Sequence, residues 1–281
     1  MKFELSVIEN ALKYYKISDN NYKNKCYKCI KDVNETKDFN NKAEKIYNIL
    51  YTDKTFMLDT LWERQNMVEL FGEQFNPYIT NILVLYGYEI HCQNMKLKKY
   101  NREEKELYKK RVRETLTNDI FVRKLEGIRI SQMIWAAYFI NTKLIEVGRL
   151  QYEKRGNYIK IHIPSGEKLQ IDQVLESIKN SRQEIKRYFN IKEPEYRCDS
   201  WLLSNQIRDI IDKDSNIARF YDLFEVKDGL DATKNILNFV FNVQECSNYN
   251  DLVEDTSLQR LLKQQLLKNK PMKIGCGKLK I

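Results

Sequence analysis

The sequence predicts an α+β protein in which a helical part, residues 1–141, precedes a mixed β-sheet flanked by helices, residues 142–281. Three observations carry this. Apolar residues recur at three- and four-residue steps as far as Asn141, the period of a helix with one buried face. After Glu146 the pattern changes, because Gly148, Gly156, Pro164, Gly166 and Pro194 punctuate short runs rich in strand-forming residues. The order of those runs is strand, strand, helix, strand, helix, strand, strand, which departs from the regular alternation of a doubly wound nucleotide fold.

In the first part, Phe56, Leu58, Leu61, Trp62, Val68, Leu70 and Phe71 mark one amphipathic helix. Others follow at 80–88 and at 102–116, the latter strongly charged and solvated on most of its faces. Residues 131–145 are apolar on nearly every side through Ile134, Trp135, Ala136, Ala137, Tyr138, Phe139 and Ile140, so that helix is expected to be buried. In the second part, 149–154 and 158–163 flank the turn KRGN as a hairpin. YIKIHI alternates strictly, with Tyr158, Lys160 and His162 on one face and the isoleucines on the other. Residues 171–189 read as a helix, 195–203 as a strand with Trp201, Leu202 and Leu203 in its core, and 205–212 as a short helix capped by Ser204. Residues 218–226 and 236–243 read as strands, and TSLQRLLKQQLLKN as a helix capped by Thr256 or Ser257.

With 281 residues, 42% of them apolar and 31% charged, the chain has the makeup of a folded globular protein, which excludes wholesale disorder. No apolar run approaches the roughly 20 residues that cross a bilayer. The first residues lack the apolar stretch of a secretory signal, so a cytoplasmic location is expected and the six cysteines are expected reduced. Cys26 and Cys29 form a C-x-x-C, but zinc needs four ligands, and neither a second such pair nor a close histidine pair follows; no metal is expected. The net charge of +9 comes from dispersed lysines in a chain crowded with Lys, Asn, Ile and Tyr, which argues against a nucleic-acid partner.

The densest cluster of unusual residue choices runs over 146–169. A strand ends near Ile163 and Pro164, a Ser165-Gly166 turn follows, and a helix starts soon after. Turn amides together with the positive end of a helix suit a phosphate or pyrophosphate; the plain alternative is an ordinary loop. Arg149 can bind an anion or pair with Glu146 or Glu153. Near the C-terminus, Gly275 and Gly277 form a G-x-G that neither follows a clear strand nor opens a helix.

GRLQYE (148–153), HIPSGEKL (162–169), CDSWLL (198–203), SNIARF (215–220) and TSLQR (256–260), taken in order, resemble the successive motifs of the GNAT-like acyltransferase-domain family. That family joins a helical N-acyltransferase N-terminal domain to a C-terminal domain similar to the GNAT N-acetyltransferases. The resemblance implies an acyl-CoA donor and transfer of its acyl group directly to an unidentified amine or hydroxyl acceptor; the lack of a long apolar run leads to the expectation of no membrane partner. It places the pyrophosphate at Ile163, Pro164, Ser165 and Gly166, and the pantetheine arm between two splayed strands, 158–163 and 196–203, beside Cys198 and Trp201. The superfamily's Gln/Arg-x-x-Gly-x-Gly/Ala signature is absent from that loop, which keeps a catalytically inactive CoA or acyl-CoA-binding module as the alternative. Acyl transfer needs a base and a proton donor to sulfur. Glu153 and His162 are the candidates for the first, each weighed against a surface carboxylate and a structural histidine, and Tyr152 and Ser200 for the second. Cys198 is a further nucleophile candidate, set against direct transfer.

Overall fold

The computed structural model describes all residues except 52–60, 62–65, 165, 167, 244 and 281. Phe56, Leu58 and Trp62, and with them most of the first expected amphipathic helix, lie outside the described residues, as does Ser165. The chain divides into two compact units, Met1–Leu144 and Ile145–Ile281.

The first unit is helical: α1 (Leu5–Tyr14), α2 (Asn20–Glu35), α3 (Lys37–Tyr51), α4 (Met67–Phe71), α5 (Ile79–Tyr86), α6 (Tyr88–Leu97), α7 (Arg102–Phe121) and α8 (Ile130–Ile140). Its centre is α5, buried from Ile79 through Leu85 and packed on α1, α2, α3 and α8. The buried amide of Asn81 is satisfied on both sides. Its Nδ2 donates to the Tyr22 hydroxyl at 2.8 Å and to the Leu116 carbonyl at 3.2 Å, while its Oδ1 accepts from the Ile128 amide at 3.2 Å. The helix expected over 80–88 stops at Gly87, where the Tyr51 ring fills the space a side chain would need. Charged α7 starts with a capping box between Asn101 and Glu104 and runs five residues past the expected end. α8 is buried as anticipated over most of its length but ends at Ile140, and Leu144 already belongs to the first strand.

The second unit is built on β1 (Leu144–Val147), β2 (Leu150–Arg155), β3 (Tyr158–His162), α9 (Ile171–Phe189), β4 (Glu195–Ser200), α10 (Asn205–Arg208), α11 (Asn216–Tyr221), β5 (Phe224–Asp231), α12 (Thr233–Val240), α13 (Ser257–Leu267) and β6 (Lys273–Leu279). The strands form one sheet in the order β1-β2-β3-β4-β6-β5. The expected hairpin is present: Arg155 pairs with Tyr158, and Gly156 takes the first turn position with φ 55°, which glycine adopts without steric cost. β3 and β4 are parallel and are joined, as parallel strands require, by a crossover helix, α9. β6 lies antiparallel to both β4 and β5.

Several expected elements are corrected. The strand expected to reach Leu203 ends at Ser200, whose hydroxyl accepts the Leu202 amide at 3.2 Å and turns the chain into a 3₁₀ turn, Trp201–Leu203. The strand expected over 218–226 is helix α11 followed by β5, because Ser215 caps the Ala218 amide and starts a helix first. The strand expected over 236–243 is α12, whose apolar residues cover a cluster with Leu262, Leu266 and Met272. Ser204 does occupy the cap position of α10, but its hydroxyl donates to Gln206 instead of capping. Thr256 is the cap of α13, in a capping box with Gln259.

The G-x-G at 275–277 is the middle of β6. A β-carbon at Gly275 would lie 1.8 Å from the Leu203 carbonyl oxygen, so the 3₁₀ turn can rest on the sheet only over glycine. Gly275→Ala is expected to cost more than about 3 kcal/mol. Gly156→Ala, where the added carbon meets open space but φ is positive, is expected to cost about 1 kcal/mol, and urea denaturation of the two variants reads the difference.

In the helical unit, His91 is fully buried with its Nδ1 3.0 Å from the Tyr15 hydroxyl. Burial lowers its pKa from 6.5 to about 3, with Lys109 adding to the effect. The folded ring stays neutral where the unfolded one binds a proton, so stability falls as pH drops below about 6.5. His91→Gln is expected to remove about one proton from the uptake on unfolding between pH 6 and pH 4, measured by urea denaturation across that range.

Candidate active site at the split between β3 and β4

The β3–β4 ladder is short. Tyr158 pairs with Glu195, Ile159 with Tyr196 and Lys160 with Arg197, and no pair follows. Beyond that point Ile161 and His162 remain paired only with β2, and Cys198, Asp199 and Ser200 only with β6. The two parallel strands therefore part toward their C-terminal ends.

Alternation assigns the side chains of this region to two faces. On one stand Glu153 and Arg155 of β2, Lys160 and His162 of β3, and Asp199 of β4. The other carries Tyr152, Ile159, Ile161, Tyr196 and Cys198, covered by α9. His162 lies opposite Gln151 in the register, and its ring reaches two pairs along, on the same face, to Glu153, with Nε2 to Oε2 at 2.7 Å. The other carboxylate oxygen of Glu153 meets the Arg155 guanidinium, Nε to Oε1 2.5 Å. Glu153 is fully buried, while a fifth of the His162 side chain is exposed. The carboxylate is thus no surface group, and Arg155 supplies the counter-charge that a buried anion needs. Burial lowers the His162 pKa below 6.5, with the Glu153 hydrogen bond and charge opposing it. In the neutral ring, Nε2–H donates to the carboxylate and the lone pair falls on Nδ1.

The other sequence candidates are placed elsewhere. Tyr152 lies on the α9 face, its hydroxyl 2.8 Å from Ser177 Oγ, and burial pushes its phenol above the ordinary range. Cys198 is on that face too, buried, with a thiol that burial pushes up to about 12, far from the thiolate a nucleophile requires. Ser200 is engaged in capping the 3₁₀ turn, and Trp201 within that turn is half-buried against the α12–α13 cluster. Ile163 and Pro164 continue β3 into the loop, and Gly166 has φ 107° with open space at its α-carbon. Gln170 precedes α9 without a side-chain cap, so no side chain occupies the helix's first amides from that position. Arg149 Nε donates to the Lys168 carbonyl at 3.3 Å, and Glu146 accepts from Gln151 Nε2 at 2.8 Å.

Sequence reasoning missed Arg155, Lys160 and Asp199. The first two share the strand faces of Glu153 and His162 and were accessible from alternation alone. Asp199, whose Oδ2 lies 2.8 Å from Lys160 Nζ, becomes a neighbour only through the parallel pairing. Among the described residues no group of three or more His, Cys, Asp or Glu is placed to hold a metal ion, and no helix is long and apolar enough to cross a membrane.

Residues 74–279 match the model of the GNAT-like C-terminal domain. No curated protein matches the chain. Among solved structures, it is similar to an acyltransferase in complex with decanoyl-CoA, at 15% identity over 98% of this chain and 99% of that one, with a TM-score of 0.64. An acyltransferase in complex with decanoyl-CoA and teicoplanin is 16% identical over 97% of this chain and 99% of that one, with a TM-score of 0.62. An acyltransferase mutant in complex with octanoyl-CoA is 21% identical over 72% of this chain and 67% of that one, also at 0.62. At these identities the likeness speaks for the fold, and the family match covers well over half of the chain. With its split sheet and motif series, the chain belongs to the family of the GNAT-like C-terminal domain.

Proposed function

We propose that the protein is an acyltransferase that moves an acyl group from acyl-CoA to an amine, or a hydroxyl, of a small-molecule acceptor. The observation that carries this reading is the parting of β3 from β4 with an accessible histidine, backed by a buried carboxylate, on the last residue of β3. The similar solved structures hold decanoyl-CoA or octanoyl-CoA, which favours a thioester as the molecule that enters such a split. Residues 142–281 form the acyltransferase domain in this reading, and residues 1–141 the helical N-acyltransferase N-terminal domain.

The loop at Ile163, Pro164, Ser165 and Gly166 and the start of α9 receive the pyrophosphate, where the amides of a helix without a side-chain cap favour an anion. Asp172 in the first turn of α9 works against this, so backbone amides and Gly166 carry the contact. The pantetheine arm occupies the opening between β3 and β4. His162 is the general base: it takes the proton from the acceptor as its nitrogen or oxygen attacks the thioester carbonyl. Glu153 orients the ring and stabilises the imidazolium that forms, in the manner of a carboxylate behind a catalytic histidine. Tyr152, Ser200 and Cys198 hold the scaffold: the first joins the sheet to α9, the second ends β4, and the third is packed beneath it.

Binding of the donor is read by thermal shift with CoA and acyl-CoAs of increasing length. At a ligand concentration 100 times Kd, about 2.7 kcal/mol of stabilisation is expected, and no shift with any of them overturns the reading.

His162→Gln is expected to lower acyl transfer by at least about a hundredfold while leaving acyl-CoA binding intact, measured as CoA release over a panel of amine acceptors. Because burial lowers the His162 pKa, the base is already neutral at pH 7, and kcat/KM is expected to decline only as pH falls through values below about 6.5. Binding without CoA release from any acceptor would instead identify an acyl-CoA-binding module.

A further inference from the structure

Lys160 stands where the β3–β4 ladder stops. It is the last β3 residue with a β4 partner, Arg197, and its ammonium reaches past that partner to Asp199, Nζ to Oδ2 2.8 Å. Asp199 belongs to the stretch of β4 paired only with β6. The ion pair is therefore laid across the apex of the split, on the face that also carries His162. About a quarter of the Lys160 side chain is exposed. An ammonium has three N–H donors, so the carboxylate can fix the head at the apex and leave donors for a second acceptor.

We propose that Lys160 is a further catalytic residue, the cationic partner of the coenzyme's sulfur, and that Asp199 is the positioning residue that holds it there; this rests on the acyl-CoA reading above. His162 and Lys160 are two residues apart on one strand face, a spacing of about 7 Å, so a thioester seated at the apex meets both. As the acceptor's bond to the carbonyl carbon forms, its proton passes to His162. When the C–S bond breaks, the electron pair goes to sulfur, and the thiolate is left facing the Lys160 ammonium. No proton has to leave Lys160. Burial works against the charge of this lysine, but the hydrogen bond and charge of Asp199 outweigh it and hold its pKa above the ordinary lysine value, so the ammonium persists through the pH range of a thiol.

A bridge that merely tied the strands together would leave the ionisation of a bound thiol untouched, and this sets the test. CoA and desulfo-CoA, which lacks the sulfur, are titrated calorimetrically onto the full chain from about pH 6.5 to about pH 9.5, a range spanning the ordinary thiol pKa of about 8.5. A thiol that ionises more readily when bound makes its ligand bind more tightly as pH rises. The affinity of CoA relative to desulfo-CoA is expected to rise about tenfold across the range, the equivalent of one pKa unit. Lys160→Gln is expected to flatten that rise without changing desulfo-CoA affinity, and Lys160→Arg to keep it. Should Lys160→Gln fail to fold, Asp199→Asn carries the comparison and must reduce the rise. A flat ratio in the unmodified protein, or a rise that survives Lys160→Gln, overturns the proposal while leaving the donor reading in place. Failure of the unmodified protein to bind either compound overturns the donor reading itself, and this proposal with it.

Discussion

The candidate site depends on one constraint, the limit of three register pairs between β3 and β4. Two parallel strands can part without leaving a sheet only if each is held on its outer edge. β2 holds β3 through five pairs that continue to His162, and β6 holds β4 through four that continue to Ser200. Ser200 then ends β4 by capping the 3₁₀ turn. The narrow glycines of β6 give that turn a place to rest, so the end of β4 is fixed from the far side of the sheet while its near side stays unpaired.

A wholly buried carboxylate beside that opening is expensive unless it is paired, and removing one partner of such a pair typically costs 3–5 kcal/mol. Glu153 has two partners of different character. Arg155 is charged at every working pH, whereas His162 can gain and lose a proton. The fixed cation meets the requirement for charge balance, while burial, with a smaller contribution from the Lys160 and Arg155 charges, holds the histidine pKa below 6.5 against the pull of the carboxylate.

Much of this was legible in the sequence, and the failures have physical causes. The strict alternation of YIKIHI put Lys160 and His162 on one face, and GN after KR marked the hairpin, because both signals are local. The first part of the strand expected over 218–226 and most of that expected over 236–243 are helical, because short runs of aromatic and β-branched residues fit either state and the decision fell to caps such as Ser215, while Phe224 onward is strand as expected. β6 was missed altogether: KIGCGKL has two glycines where strand formers are expected, and their purpose is set by Leu203, more than 70 positions away in the chain. Glu153 was weighed against a surface carboxylate because no local pattern reports burial. Its position in the second strand, covered and paired with His162, follows only from the register.

The face turned away from the site governs its geometry as well. Two serines one helical turn apart on α9 meet two tyrosines on the strands either side of β3, Ser177 with Tyr152 of β2 and Ser181 with Tyr196 of β4, each at 2.8 Å, and Ser177 also donates to the Val147 carbonyl. Buried hydroxyls that are all satisfied fix rotation and sliding in a way that apolar contact alone does not. Here they lock α9 against β1, β2 and β4 together, while Arg149 holds the Lys168 carbonyl just ahead of the helix. The first turn of α9 is thereby set relative to the end of β3. In the proposed acyl-CoA reading, an anion at that turn and a thioester at the apex are the two ends of a chain of fixed length, and the serine–tyrosine pairs set the distance between the two places without belonging to either.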